Sequence, residues 1–236
     1  MGIERDLLIG VALLLLIALV GWSVIGVGLQ QRRVRFLART LAQSLSEVGP
    51  VSRVRALGVG RMELRIDQPV APFTSIRVVL WLQPMTFLPF WLFRRLRGER
   101  DVVGIGADLN RAPSIRFELV DPLSRIGQRV LNRARGLGWS FGQRDFCGRQ
   151  LMLAAPDLPA AARMLGRIGC RGHAAEMPIL RLAVPAEGAS LILTVADPER
   201  FATAGPRLGV WLTRIGRAIL TPGQRDARGG DGRSDS

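Results

Sequence analysis

Between Leu7 and Leu29 the chain carries no charged residue, and this run of 23 positions constrains every other reading. At 1.5 Å per residue it makes about 34 Å of helix, enough for a hydrocarbon core of about 30 Å. The segment therefore reads as a transmembrane helix. Gly10, Gly21, Gly26 and Gly28 are tolerated in such a helix, and Trp22 lies close enough to the far end to reach the headgroups. A cleaved signal peptide is the competing reading. It fits poorly, because the apolar run exceeds the usual roughly 7–15 residues and Gln30-Gln31-Arg32-Arg33-Val34-Arg35 follows without a small-residue cleavage site.

Basic residues beside a span are retained on the cytoplasmic side, whereas acidic ones matter little. Only Arg5 precedes the span, while Arg32, Arg33, Arg35 and Arg39 follow it. That asymmetry predicts residues 1–6 outside and the large C-terminal part in the cytoplasm, at a bacterial-type inner membrane. Cys147 and Cys170 are then expected as reduced thiols, or as a disulfide should the orientation be reversed.

A composition of 48% hydrophobic and 22% charged residues fits neither a disordered polyelectrolyte nor an ordinary water-soluble domain. The net charge of +14 is carried by arginine alone, because the chain has no lysine. Absent Lys and Tyr beside abundant Ala, Arg, Gly, Leu and Val look like a GC-rich codon bias, so arginine richness is discounted as a clue in itself.

Past the span, Val34, Leu37, Leu41, Leu45 and Val48 recur at three- and four-residue steps. The helix is expected to continue as an amphipathic stalk over residues 30–48, reaching about Glu47 before Gly49-Pro50 stops it. Such a stalk packs on its own domain, or serves as a coiled coil or a partner's docking helix.

Alternation predicts strands at about Arg61 to Asp67, Ser75 to Gln83, Val102 to Asp108, Ser114 to Val120, Phe146 to Ala154, Ile179 to Val184 and Ser190 to Val195. Helices are predicted after three aspartates. Asp121 would cap one with Pro122 at its first position, Asp157 one through Ala160 to Leu165, and Asp197 one that ends near Leu220 and buries Phe201, Leu208, Trp211, Leu212 and Ile215. Strands grouped ahead of helices favour an α+β domain over residues 51–220, with a mainly antiparallel sheet and two or three packed helices. Gly136, Gly138 and Gly142 leave room for a subdivision near residue 140. Residues 221–236 are nearly devoid of apolar side chains and are expected to be disordered.

Val78 to Phe93 is uncharged over 16 positions and is followed at once by Arg94, Arg95, Arg97 and Arg100. Pro84 and Pro89 and the short length exclude a second span. What remains is a strand followed by a loop or short helix that exposes Met85, Phe87, Leu88, Phe90, Trp91 and Phe93. These aromatics form the domain's core with an arginine rim, or enter the bilayer interface with the arginines on lipid phosphate, or contact another membrane subunit.

Other chemistry is sparse. His173 is the single histidine, and with Cys170 and Cys147 it falls short of the four ligands of a structural zinc site, so no metal is expected. Gly58-Val59-Gly60 and Gly104-Ile105-Gly106 complete no phosphate-loop or dinucleotide pattern, and no cofactor is expected. The two glycines of the second trio are expected where another backbone or helix lies close. Asp101, Asp108 and Asp145 form no forced pair, and ion pairs or turn bonds are their default use. Nucleic acid is disfavoured, since the arginines are dispersed and no binding motif appears.

The layout of one N-terminal span, a basic stalk and an α+β domain resembles many bacterial inner-membrane proteins, and the resemblance transfers no catalytic residue. The reading is a structural, scaffolding or accessory subunit that contacts anionic lipid headgroups, another membrane protein, or both. Its working residues would be Phe87, Phe90, Trp91, Phe93, Arg94, Arg95, Arg97 and Arg100, with Arg32, Arg33, Arg35 and Arg39 as the membrane flank. The alternative is a membrane-tethered enzyme acting on a lipid or anionic metabolite, with arginines for the anion and Asp101 or Asp108 as acid/base group.

Overall fold

Alternating apolar residues commit most of the chain to a single sheet. In the computed structural model, which describes residues 2–85, 87–97, 99–168, 178–185, 188–203 and 207–221, nine strands lie side by side. They are β1 (Arg53–Gly58), β2 (Arg61–Ile66), β3 (Phe73–Trp81), β4 (Val102–Leu109), β5 (Phe117–Val120), β6 (Ser140–Phe146), β7 (Arg149–Ala155), β8 (Ile179–Val184) and β9 (Ser190–Ala196). Their order across the sheet is β1-β2-β3-β4-β9-β8-β5-β7-β6, and every adjacent pair is antiparallel. The α+β class with an antiparallel sheet is thus observed.

Register decides what each face of the sheet carries. Leu64, Val78, Ile105, Leu193, Leu182, Leu119 and Leu153 pair in turn from β2 to β7, forming one buried row across seven strands. Cross-strand apolar contacts of this kind are the unit of sheet stabilisation. The row ends at Gly142 of β6, where a Cβ would come within 3.0 Å of Leu158, so a helix side chain fills the place of a strand one.

Six helices accompany the sheet among the described residues: α1 (Gly2–Ser44), α2 (Leu88–Leu96), α3 (Arg125–Gly136), α4 (Leu158–Ile168), α5 (Pro198–Thr203) and α6 (Arg207–Leu220). The buried row belongs to the same core as Leu37, Leu41 and Leu45 of α1, Met164 of α4, Phe201 of α5 and Leu212 of α6. On the opposite face α3 covers only one end, where Leu131 and Ala134 meet Val120 and Ala154. The rest of that face carries arginines, with Arg53 opposite Arg65 and Arg65 opposite Arg77, and Arg77 faces Gly106.

Several expectations are corrected in detail. β1 escaped prediction because all of its residues are exposed, so it shows no inward apolar alternation. The single strand expected near Phe146 is a hairpin, β6 and β7, turning at Cys147 and Gly148 with φ of 56° and 69°. Asp121 does not cap α3. Its Oδ1 accepts from the N–H of Leu123 and its Oδ2 from Arg149, while the Ser124 hydroxyl accepts from Gly127 N–H at 2.9 Å and starts the helix. Asp157 does accept from Ala160 N–H, as expected of a cap. The last predicted helix is two elements, α5 and α6. Nothing approaches within 4 Å of a Cβ built on Gly106, and only Val79 O reaches 4.0 Å at Gly104, so no covering element explains those glycines. Residues 222–236, expected to be disordered, lie outside the described residues.

Helix α1 is long and apolar enough to cross a membrane, and only 6% of its apolar window is buried, so that window is no core helix of the domain. Ile105→Ala, in the middle of the seven-strand row, should cost about 3 kcal/mol of unfolding free energy. Val54→Ala on the exposed edge should stay within about 0.5 kcal/mol. Denaturant titration of both variants in neutral detergent measures the difference.

Candidate membrane-facing site

The sequence placed Arg33 with the membrane flank; the structure gives it a different partner set. Its guanidinium reaches Asp101 at 2.8 Å and Glu199 at 2.8 Å, joining α1 to the start of β4 and to α5. Asp101 is buried, and its Oδ1 accepts from the backbone N–H of Gln83 at 2.7 Å. The carboxylate thus ties α1 to the segment that leaves β3. Partial burial works against the charge on Arg33, but Asp101 and Glu199 outweigh it and raise its pKa above the ordinary arginine value. Arg32, Arg35 and Arg39 remain exposed.

Beyond Gln83 the chain runs along the apolar part of α1. The indole N–H of Trp22 donates to the carbonyl of Met85 at 3.1 Å. Trp22 precedes Leu29 by seven residues, about 10 Å along the helix axis. On the same helix stripe Ser23 and Val27 are half-buried and Gly26 and Gln30 are buried, whereas Val24, Ile25 and Leu29 stay exposed. The stripe that packs on the domain therefore starts inside the uncharged run and continues through Val34, Leu37, Leu41 and Leu45.

Helix α2 follows directly. Pro89 sits in its first turn, where the missing N–H costs nothing, and Pro84 lies in the preceding segment. Phe87, Phe90, Leu92 and Phe93 are about half exposed, and Leu96 is 79% exposed. Trp91 and Met85 are half-buried. Four-residue spacing places each guanidinium over a ring: Arg94 over Phe90 at 5.3 Å, Arg95 over Trp91 at 5.8 Å and Arg97 over Phe93 at 4.1 Å. Such exposed cation–π contacts are worth about 0.5–1 kcal/mol each. Arg94 also holds Glu99 at 2.6 Å, and Arg100 is exposed. These aromatics do not belong to the domain's core.

Carboxylates and thiols fall elsewhere. A recess of about 440 Å³ brings Asp101 together with Arg33, Arg95 and Arg100. Asp108, on the exposed sheet face, accepts from the Ser75 hydroxyl at 2.6 Å and stands seven residues along β4 from Asp101, about 23 Å away. Among the described residues no His, Cys, Asp and Glu group could hold a metal ion. Cys147 is disulfide-bonded, which corrects the expectation of a reduced thiol; Cys170 and His173 lie outside the described residues. The chain matches no known family model, and no curated protein is significantly similar to it.

Sequence reasoning missed two groups. The arginines of β1, β2 and β3 alternate within separate strands and gather into one patch only through register. Arg61, stacked over Trp81 at 4.1 Å, belongs to a turn-proximal pair that linear spacing does not reveal, although Arg61 opposite Trp81 follows once the β2–β3 register is known.

Asp101→Ala should lower unfolding free energy by about 3 kcal/mol, because it leaves Arg33 without its buried partner and Gln83 N–H without an acceptor. Asp101→Asn, which retains an acceptor, should cost less. Thermal unfolding of both full-length variants in neutral detergent provides the comparison.

Proposed function

We propose that the chain is a single-pass, membrane-anchored structural, scaffolding or accessory subunit. Its basic α+β domain lies against an anionic leaflet and meets lipid headgroups, a membrane-protein partner, or both, through α2. The observation that carries this reading is the Trp22–Met85 hydrogen bond, since it fixes the segment before α2 beside the last two turns of the uncharged run. Phe87, Phe90 and Phe93 then sit at interfacial depth, with Arg94, Arg95, Arg97 and Arg100 toward the phosphates.

The magnitudes agree with an anchored protein rather than a peripheral one. Covering the exposed half of each phenyl contributes about 1 kcal/mol. Arginines near an anionic surface add about 1 kcal/mol each. A few kcal/mol would hold a free domain only weakly, but the span supplies the high local concentration that makes the contact persistent.

The domain is assigned to the cytoplasmic side of an inner membrane on the four arginines after the span against one before it. The disulfide at Cys147 weighs the other way, because disulfides persist in oxidising compartments. Protease added to spheroplasts discriminates: a cytoplasmic domain stays intact until the membrane is breached, and a domain on the other face is digested at once.

The enzyme reading has one observation in its favour, the recess in which Arg33, Arg95 and Arg100 meet Asp101, Glu99, Asp197 and Glu199. Both oxygens of that carboxylate are already committed, to Arg33 and to Gln83 N–H, and Asp108 lies too far away to assist. The scaffold reading is preferred on that ground.

In nanodiscs of anionic lipid, the part of the tryptophan fluorescence that Trp91→Phe removes should be quenched by shallow brominated acyl chains and shielded from aqueous iodide. Free iodide access with no bromine quenching removes the reading. Gentle solubilisation of the native membrane should bring a membrane-protein partner along if α2 docks on protein, and Phe90→Ser with Phe93→Ser should release it.

A further inference from the structure

A second feature lies at the same end of the domain. The β1–β2 turn, the end of β3 with the residues that follow it, and Arg94 from the last turn of α2 border a recess of about 280 Å³. Arg61 and Arg94 line it, and among the described residues no carboxylate does. Trp81 forms part of one wall, with the Arg61 guanidinium stacked on it at 4.1 Å. Stacking occupies the face of the guanidinium and leaves its in-plane N–H donors available, and Arg61 has no ion pair among the described residues.

Gln83 also lines the recess. It is 6% exposed, and among the described residues neither its amide nitrogen nor its amide oxygen has a hydrogen-bond partner. Gln30 of α1 is fully buried with both amide atoms equally unpartnered. The two glutamines flank one turn: a Cβ on Gly60, whose φ is 77°, would press on Gln30 Nε2 at 2.7 Å and on Leu82 O at 2.5 Å. Buried amides without partners are uncommon in folded proteins, and a water, an ion or a ligand's polar group satisfies such a pair.

We propose that this recess binds the phosphate headgroup of an anionic membrane phospholipid. Arg61 supplies the charge, Arg94, whose Nε is held by Glu99 at 2.6 Å, offers its remaining N–H donors, the Gln83 amide donates a further hydrogen bond, and the exposed Leu57 and Val59 at the lip meet the upper acyl chain. The volume sits just below the roughly 300–1,000 Å³ of typical small-molecule pockets, which suits a headgroup and excludes a whole lipid. A lipid is favoured over a free phosphate by position. Gln83 and Pro84 immediately precede Met85, whose carbonyl is held by Trp22 within the uncharged run. The inference rests on the membrane-facing reading of α2 but differs from it in kind, because it requires one saturable, headgroup-dependent site instead of a general attraction to charge.

The test uses the full-length protein in a neutral maltoside detergent, titrated with dioctanoyl phosphatidylglycerol, dioctanoyl phosphatidylcholine and inorganic phosphate, with calorimetry as readout. The expected result is a 1:1 saturable isotherm for the anionic lipid, at least tenfold tighter than for phosphatidylcholine and for inorganic phosphate. Arg61→Gln should weaken it at least tenfold. Gln83→Glu, nearly isosteric but negatively charged, should do the same, and melting curves matching the unaltered protein keep a folding defect from passing as a binding one. Phe87→Ser with Phe93→Ser, which touches neither the recess nor Arg94, should leave the isotherm intact while releasing Trp91 from the bilayer, which separates failure of the α2 reading from failure of this one. A non-saturable isotherm, equal binding of inorganic phosphate, or insensitivity to both Arg61→Gln and Gln83→Glu overturns the lipid site.

Discussion

The contact of Arg33 with Asp101 organises the end of the molecule that faces the uncharged run. A single buried carboxylate accepts from a helix guanidinium and from the backbone of the segment leaving β3. Without it the chain after Trp81 would be tied to α1 only through the Trp22–Met85 hydrogen bond among the polar contacts of the described residues, and the aromatic helix that follows would be held less firmly. Burying a carboxylate is costly unless its oxygens are satisfied, and here each has a short donor. A half-exposed arginine supplied from the adjoining α1 is thus a structural part of the site and also one of the four positive charges from which orientation is read. One residue serves both roles because the basic flank and the packing stripe coincide on the same turn of helix.

The long apolar helix, the α+β class and most strands were legible because each rests on a local pattern. An uncharged run reports itself, and inward alternation marked β2, β3, β4, β8 and β9 to within two residues. The misses have a common cause. β1 and β6 carry mostly exposed side chains, so the burial that would write an apolar pattern is absent from them. α3 starts three residues after the point where Asp121-Pro122 seemed to announce it, because a tertiary pair with Arg149 and a local turn bond claim the aspartate.

At the site, the aromatics and arginines of α2 were legible as a group, but their fate was not. An uninterrupted apolar stretch is compatible with a core and with a surface, and spacing alone does not choose. The exposure of Phe87, Phe90 and Phe93 puts them on the surface, and a contact 63 residues apart in sequence, Trp22 to Met85, holds the segment before them beside α1. The sheet-face arginines illustrate the same limit in reverse: Arg53, Arg65 and Arg77 look dispersed along the chain and become neighbours only through two antiparallel registers.

One feature of α1 reaches further. From Gly2 to Ser44 it is a single helix without proline, and its packing stripe passes from the apolar run into the domain without a break. There is no joint at the point where a swivel would ordinarily sit. A helix that tilts to match a thinner or thicker bilayer must carry the sheet with it like the arm of a lever. In the membrane-anchored arrangement proposed above, the angle between the nine-stranded sheet and the membrane plane is coupled to the thickness of the lipid around it.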